Sequence, residues 1–564
     1  MEYIMPKENY LTLPEKESCY EYMLQSYSRI AKDYGDDYTA FVVPVANVES
    51  EVSMKRFISD IEKLAAWFVS KGIGKGDVIT AFLPTCGHAA VAFYAASKIG
   101  AISNFVHPLT PPAQLVEIMM HTKSKCLMLL DLFAGPFKPI TDKFLTVVCS
   151  TSDFCDGIAF KYAKGNETQN GQYEKTATTN PYMEIMGMEL PAVPTDHNPG
   201  KDNAIYIHGG GTTGKSKTII HSAYSFNNLA YAMYALDLPH DYTKCYSLCV
   251  LPCFHAYGLG VSIHYAICNA YKPIMISKFD PIQANELIRK YCVIEMLGVP
   301  KMFQKLMEAP NFKDNEGMKN LLIISAGGDY VSPDFIREFN AAIAAQGAKG
   351  KLAPGYGLTE MCAVCTTNNL PGDYYRDNTV GMPILGTELE IWDADCNKLP
   401  DGEIGEVVLT GKCMMNGYLP DDVINESGIY TDKNGKNWIR TGDVGYIENG
   451  HLRFTSRIKR IIIIAGYNIY PATIERKVLT LNSVAEACAC QGYDENGKPY
   501  VKLVIAPFNP QADREALKEE VMSFCKENVE GYACPRKIEV MDALPRTKME
   551  KIDFVLLSDK LPTE

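Results

Sequence analysis

The sequence predicts an α/β chain with a large first unit and a small second one. Three observations carry that expectation. Short apolar runs alternate with helix-like stretches through the first part of the chain. A β-rich stretch with turn signals begins near Thr387, and roughly the last hundred residues form another α/β set. At about 150 residues per domain, 564 residues suggest two to four domains, each able to bury a core.

Val78–Leu83 is a short apolar run that reads as a strand. Ala89–Ile99 is Ala-rich and helix-like, and Gly100 supplies a helix stop. Ala101–Val106 reads as a second strand, so strand, helix and strand suggest a βαβ unit in a parallel sheet. Cys126–Leu132 and Phe144–Cys149 extend the pattern. The stretch 156–202 is rich in Gly, Asn, Thr and Pro with little periodicity, and reads as mostly exposed loop. Further on, Pro281–Tyr291 and Pro300–Glu308 read as helices and Leu321–Ile324 as a strand. Asp401-Gly402 and Asn449-Gly450 mark hairpins in the β-rich part. Ile461–Ile464 reads as a strand and Asp513–Lys526 as a helix.

Apolar residues are 47% and charged residues 22% of the chain, which excludes disordered, collagen-like and coiled-coil classes. A net charge of −12 argues against nucleic acid or an anionic membrane as the main partner. No apolar run is long enough to predict a transmembrane helix, and the polar start carries no signal-peptide pattern. The expected location is therefore cytoplasmic, with the 18 cysteines as reduced, mostly buried thiols. Cys362/Cys365 and the series Cys245, Cys249, Cys253 lack a second ligand pair nearby and read as core packing.

The strongest local feature is HGGGTTGKSKT, His208 to Thr218, preceded by an apolar run. Glycines let a backbone aim N–H groups at a phosphate, while Thr and Lys add donors and charge. Gly209–Ser216 satisfies the Walker pattern GxxxxGK[ST], which would give a P-loop NTPase with Lys215 on phosphate and Ser216 on Mg²⁺. The same residues fit the phosphate loop of adenylate-forming enzymes. Context favours the second reading. A Walker loop opens straight into a helix, whereas Lys217–His221 is a β-branched run suited to a strand, with helix-like sequence only from Ser222.

Taken with that loop, LPCFHAYG, AGGD, GYGLTE, RTGDVGY, SRIKRIIIIAGYNIYPATIE and LPRTKMEKID occur in one order along nearly the whole chain. In this set the chain resembles the adenylate-forming, AMP-binding superfamily of acyl-CoA synthetases, luciferases and adenylation domains. The resemblance implies a large N-terminal adenylation domain, 1–458, made of two α/β sheet subdomains and a β-rich subdomain. A small mobile α+β C-terminal domain, 459–564, would follow, hinged at Lys459.

The resemblance also implies roles. Gly211, Thr212, Thr213, Gly214 and Lys217 would hold the β- and γ-phosphates of ATP. His255 would lie beside the acyl group, although alone it reads equally as an ordinary half-buried histidine. Gly327, Gly328 and Asp329 would line the adenine. Tyr356 and Gly357 belong to the adenine-stacking segment, Thr359 would meet the α-phosphate, and Glu360 would hold Mg²⁺, as a hard oxygen ligand can. Asp443 would bind the ribose hydroxyls and Arg457 the ribose or phosphate. Gly466 would enter the thioester-forming site, and Lys551 is the adenylation lysine. Ser216, Thr218, Ser456, Arg460 and Glu550 depart from the family pattern, as do Gly209-Gly210, which stand where hydroxyl residues are usual.

The activity so implied is acid-thiol ligation in two steps. A carboxylate attacks the α-phosphorus of ATP to give acyl-AMP and pyrophosphate, and CoA then gives acyl-CoA and AMP. Phe254-His255, where amino-acid-activating relatives have Phe-Asp, points to a plain carboxylic acid. The expected acid is a medium or long fatty acid, or an aromatic one. The 13 residues after Lys551 leave no room for a fused carrier domain, and a separate acyl carrier protein remains an alternative acceptor to CoA. The rival readings are the P-loop NTPase and a family member that binds nucleotide without turnover.

Overall fold

The protein is described by a computed structural model covering residues 12–45, 48–169, 175–196, 202–209, 217–236, 244–369, 375–419, 428–464, 467–495, 497–546 and 552–559. Two large sheets dominate among the described residues. The first runs, in spatial order, Gly417–Tyr418, Lys217–His221, Ile205–Gly209, Ile102–Phe105, Val78–Phe82, Ser124–Leu130, Leu145–Cys149 and Thr179–Pro181. From Ile205–Gly209 onwards it is parallel throughout, and its middle strands are buried. This is the expected βαβ arrangement, with the helix Gly87–Lys98 between two parallel neighbours.

The second sheet runs Met382–Pro383, Thr366–Thr367, Leu352–Tyr356, Ile323–Ala326, Val293–Gly298, Tyr246–Cys249, Lys272–Met275, Thr39–Val45 and Val48–Ser53. Helices Pro281–Lys290, Pro300–Glu308 and Pro333–Ala344 each carry Pro in the first turn, where its missing N–H costs nothing. Between the sheets lies one large apolar cluster, which includes Phe93, Tyr94, Phe226, Leu229 and Ile263. Part of it is a wide π-helical stretch, Gly258–Tyr265. Its first residue must be glycine, because a Cβ there would sit 2.1 Å from the Pro252 carbonyl oxygen.

A third, antiparallel sheet joins Thr387–Trp392, Gly405–Gly411, Asn437–Glu448, Ile429–Thr431 and His451–Arg457. Its two-residue turn Asn449-Gly450 has both φ values positive, 51° and 79°, as the sequence signal requires. The last part of the chain has its own core, where Ile462, Val478, Leu503, Val521 and Cys525 pack together. A three-stranded sheet, the strand pair Ile462–Ile464 and Tyr467–Ile469, and the helices Pro471–Val478 and Arg514–Asn528 supply it, the latter capped by Asp513.

One expectation needs correction. The stretch 156–202 is not mostly loop: it holds the helix Gly157–Gln169, the edge strand Thr179–Pro181 and the helix Tyr182–Met186. Tyr182 and Ile185 are fully buried in the main cluster. All 18 cysteines are unpaired, and most are buried, as the reduced-thiol reading expects. Among the described residues no helix is long and apolar enough to cross a membrane.

Candidate active site

Open α/β sheets bind ligands beyond the carboxyl ends of their parallel strands. Two such ends converge here. Ile205–Gly209 leads into residues 210–216, and Leu352–Tyr356 leads into the Thr359–Met361 turn. Gly211, Thr212, Thr213 and Gly214 lie outside the described residues, as do Gly466 and Lys551.

The exit from the glycine-threonine loop is a strand. Lys217–His221 pairs antiparallel with Ile205–Gly209, and the helix Ala223–Tyr234 starts only after the Ser222 cap. A Walker loop would require a helix at Lys215-Ser216, followed directly by its first turns, so the P-loop alternative fails. At the loop's base, His208 Nε2 lies 2.7 Å from Asn104 Oδ1, and Thr218 Oγ1 lies 3.2 Å from His208 Nδ1. The imidazole therefore ties the entering strand to the leaving one.

Tyr356 and Glu360 flank a sharp turn. Gly357 is required in it, since a Cβ there would sit 1.4 Å from the Ala363 carbonyl oxygen. The Tyr356 hydroxyl donates to Asp443 Oδ2 at 2.8 Å, and Arg457 Nε lies 3.0 Å from Asp443 Oδ1. Burial, then the Asp443 charge, push the Tyr356 phenol well above its usual range, so it stays a donor. Asp443 itself sits on a braced bend. Arg440 Nε donates to Glu406 Oε2 at 2.8 Å, Gly442 N–H donates to Glu406 Oε1 at 3.0 Å, and Asp443 N–H donates to Thr441 Oγ1 at 3.0 Å.

Glu360 accepts at Oε1 from the Tyr418 hydroxyl at 2.9 Å. Tyr418 lies on the short strand paired with Lys217–His221, and Lys217 Nζ sits 4.8 Å from its ring centroid. Gly327 is buried under the Tyr257 ring, while Gly328 and Asp329 are exposed at the rim. His255 is half-buried, its backbone N–H bonded to the Pro252 carbonyl, with the Phe254 ring 4.9 Å from its own. Lys459 is exposed within the single turn Ile458–Arg460.

The structure thus brings together Lys217, Tyr356, Gly357, Thr359, Glu360, Asp443 and Arg457. Sequence reasoning missed Tyr418, Glu406 and His221 as members of this group. The Gly417-Tyr418 pair had a local signal, a glycine beside an aromatic after a β-rich run. His221 had none beyond ending the expected strand.

The fold is that of a large α/β unit followed by a small α+β unit, and the comparisons name the family. Residues 28–419 match the family model described as AMP-binding enzyme, and residues 473–551 match the AMP-binding enzyme C-terminal domain. The chain belongs to the AMP-binding enzyme family. It is 26% identical over 518 residues to a long-chain-fatty-acid–CoA ligase of Bacillus subtilis (strain 168), covering 88% of this chain and 87% of the relative. It is also 26% identical over 506 residues to 4-coumarate:CoA ligase 1 of Petunia hybrida, covering 87% and 85%. Among solved structures, the anthranilate CoA ligase AuaEII with anthranoyl-AMP superposes with a TM-score of 0.78 at 17% identity, covering 97% of each chain. The o-succinylbenzoate CoA synthetase of Bacillus subtilis with its acyl-adenylate gives 0.74 at 19% identity, covering 97% of this chain and 99% of the other.

Proposed function

We propose that this AMP-forming acid-thiol ligase activates an apolar carboxylic acid, a fatty acid ahead of an aromatic one, and transfers the acyl group to CoA. The observation that carries the reading is the Tyr356–Asp443–Arg457 cluster beside the Glu360–Tyr418 pair, which joins separate motifs at one pair of strand ends. In this reading Asp443 receives both ribose hydroxyls, the Tyr356 ring carries the adenine between itself and the Gly327-Gly328-Asp329 rim, and Thr359 reaches the α-phosphate. Gly211, Thr212, Thr213, Gly214 and Lys217 hold the leaving pyrophosphate.

A hard divalent cation suits Glu360, whose carboxylate is oriented by a phenol, the outer-shell support such ligands use. When bound, Mg²⁺ supplies charge neutralisation for the departing phosphates. The chain's own work is positioning and electrostatics. Lys551 bridges the substrate carboxylate and the α-phosphate, whose negative charges would otherwise repel. Gly209-Gly210, which lack the usual hydroxyls, leave backbone N–H groups a larger share of phosphate binding.

The acyl group is assigned to the segment from His255 to Gly260, which is mostly apolar. A Cβ on Gly260 would approach Leu229 to 2.7 Å and Phe226 to 3.5 Å, so glycine lets this segment pack closely on apolar side chains. A domain boundary after residue 458 is supported by two anchors. Arg457 is held at Asp443 on one side, and Arg460 is held by Glu475 and the Ala489 carbonyl on the other. Ile458 and Lys459 are the residues left to turn between them. Rotation there would withdraw Lys551 and bring Gly466 to the acyl-adenylate for CoA attack. A thiol with an ordinary pKa near ~8.5 is already partly thiolate at neutral pH, so no dedicated base is required.

The test is product analysis with Mg-ATP, a panel of fatty, aromatic and dicarboxylic acids, and CoA present or absent. AMP and pyrophosphate that appear only with an apolar acid, and a thioester only with CoA, are the expected result. ADP as product, or turnover confined to polar acids, would defeat the reading.

A further inference from the structure

A buried histidine links the phosphate-loop strand to the turn that carries Thr359 and Glu360. His221 ends the strand that begins at Lys217, and it is 0% exposed. Its Nε2 lies 2.7 Å from the Thr359 carbonyl oxygen, which can only accept, so Nε2 carries the proton. Nδ1 must then accept. Cys362 Sγ lies 3.1 Å from it and Ser225 Oγ 3.4 Å. The Ser225 hydroxyl already donates to the Ser222 carbonyl at 2.9 Å, which leaves the Cys362 thiol as the donor to Nδ1. Burial pushes the imidazole down to about 4 and the thiol well above its usual range, so each keeps this protonation at neutral pH.

The turn has reason to need such a brace. Cys362 and Ala363 are consecutive non-glycine residues at φ 57° and 102°, a backbone shape that persists only when surroundings hold it. His221 grips it on both sides, at the Thr359 carbonyl before these residues and at the thiol of the first of them. Tyr418, paired to the same strand, grips the Glu360 carboxylate. Two paired strands therefore fix Glu360, one through its side chain and the other through the backbone beside it. Lys217, at the other end of the His221 strand, follows the loop directly.

We propose that His221 is a positioning residue for the adenylation half-reaction, locking the Lys217–His221 strand to the Thr359-Glu360 turn. The proposal rests on the ligase reading above. It predicts that loss of the lock misplaces Glu360 above all, whose task ends when pyrophosphate leaves, so that adenylation slows while the thioester step proceeds.

The experiment compares the wild-type chain with His221→Leu, His221→Gln and Cys362→Ala. It measures acid-dependent ATP–pyrophosphate exchange with a panel of fatty and aromatic acids, thioester formation from supplied acyl-adenylate and CoA, and thermal melting. In His221→Leu, kcat for exchange should fall at least about tenfold, the order a small misplacement of reacting groups costs, with thioester formation within about twofold. His221→Gln places an amide N–H near the Thr359 carbonyl and should recover most of the loss. Cys362→Ala, which leaves the Thr359 bond intact, should lose only about two- to threefold, the weaker thiol donor being the smaller part. Exchange at wild-type level in a folded His221→Leu overturns the assignment and leaves the ligase reading standing. So does a parallel fall of both half-reactions with the melting temperature that Gln does not rescue. No exchange in the wild-type chain with any acid removes the ligase reading, and the proposal with it.

Discussion

The Asp443 and Glu360 side of the large unit and the small unit at the end of the chain both rely on charged contacts, but to different ends. In the large unit the contacts join separate motifs. Tyr356 meets Asp443 across 87 residues, and Tyr418 meets Glu360 across 58. In the small unit the contacts close on the unit itself: Arg460 with Glu475, Arg546 with Glu486, and Lys502 with Asp559. The first arrangement builds a pocket whose walls come from distant parts of the chain. The second ties the strands and helices of the small unit to one another.

The sharpest way to break that contrast is Lys551→Ala. If the small unit only delivers this lysine, exchange should fall by about 10³, roughly 4 kcal/mol of lost charge stabilisation. Thioester formation from supplied acyl-adenylate should stay within about twofold of wild type. Equal loss of both steps, read in separate half-reaction assays, would mean that the lysine serves the body of the small unit and not the first half-reaction.

The second test removes a partner inside the small unit. Arg460→Ala leaves the largely buried Glu475 carboxylate without its guanidinium, a loss of about 3 kcal/mol for a broken buried pair. Limited proteolysis should cut the last part of the chain first, and its melting transition should fall. The Kd for ATP of the large unit should stay within about twofold, since Asp443 and Tyr356 are untouched. An ATP affinity that falls in step with the melt would erase the distinction between the two regions.

How much of this could be read from the sequence depends on whether the signal lies in neighbouring residues or in contacts between distant ones. Val78–Phe82, Lys217–His221, Asn449-Gly450 and the Asp513-capped helix are written in neighbouring residues, and the structure has them where the pattern puts them. The helix Gly157–Gln169 was not legible. Its sequence has little apolar periodicity and a glycine at position 165, so local propensity argues against it. It is held from outside, where Glu167 accepts from the Ser152 backbone N–H and hydroxyl. The motifs named Asp443 with both side chains that hold it, Tyr356 and Arg457, and named Glu360, but not what grips Glu360 and its turn. The Tyr418 hydroxyl and the His221 imidazole are contacts between strands that only folding brings together.

A third substitution, Asp443→Asn, keeps the shape of the pocket and removes its charge. A hydrogen bond to a charged group contributes about 1.5–3 kcal/mol, so the KM for ATP should rise about tenfold or more. The amide can still accept from Tyr356, but it no longer pairs with Arg457. Steady-state kinetics at several ATP concentrations would separate this binding loss from a fall in kcat. A fall in kcat at unchanged KM would place Asp443 in the reacting geometry instead of the ribose pocket.

The smallest expected effect is the most specific. Tyr418→Phe deletes one hydroxyl, which donates to Glu360 at 2.9 Å, and keeps the ring beside Lys217. The carboxylate then loses its orienting donor but not its charge. Loss of such an outer partner costs a metal site about ten- to a hundredfold in affinity when the partner is decisive, and the exposed half of this site places Glu360 near the lower end. The Mg²⁺ concentration for half-maximal exchange should therefore rise about tenfold, while kcat at saturating Mg²⁺ returns to near wild type. A loss that added Mg²⁺ does not restore would show that the phenol holds the turn itself. Tyr418 would then share with His221 the task of bracing the backbone, and the pocket would depend on its strand pairing more than on its charges.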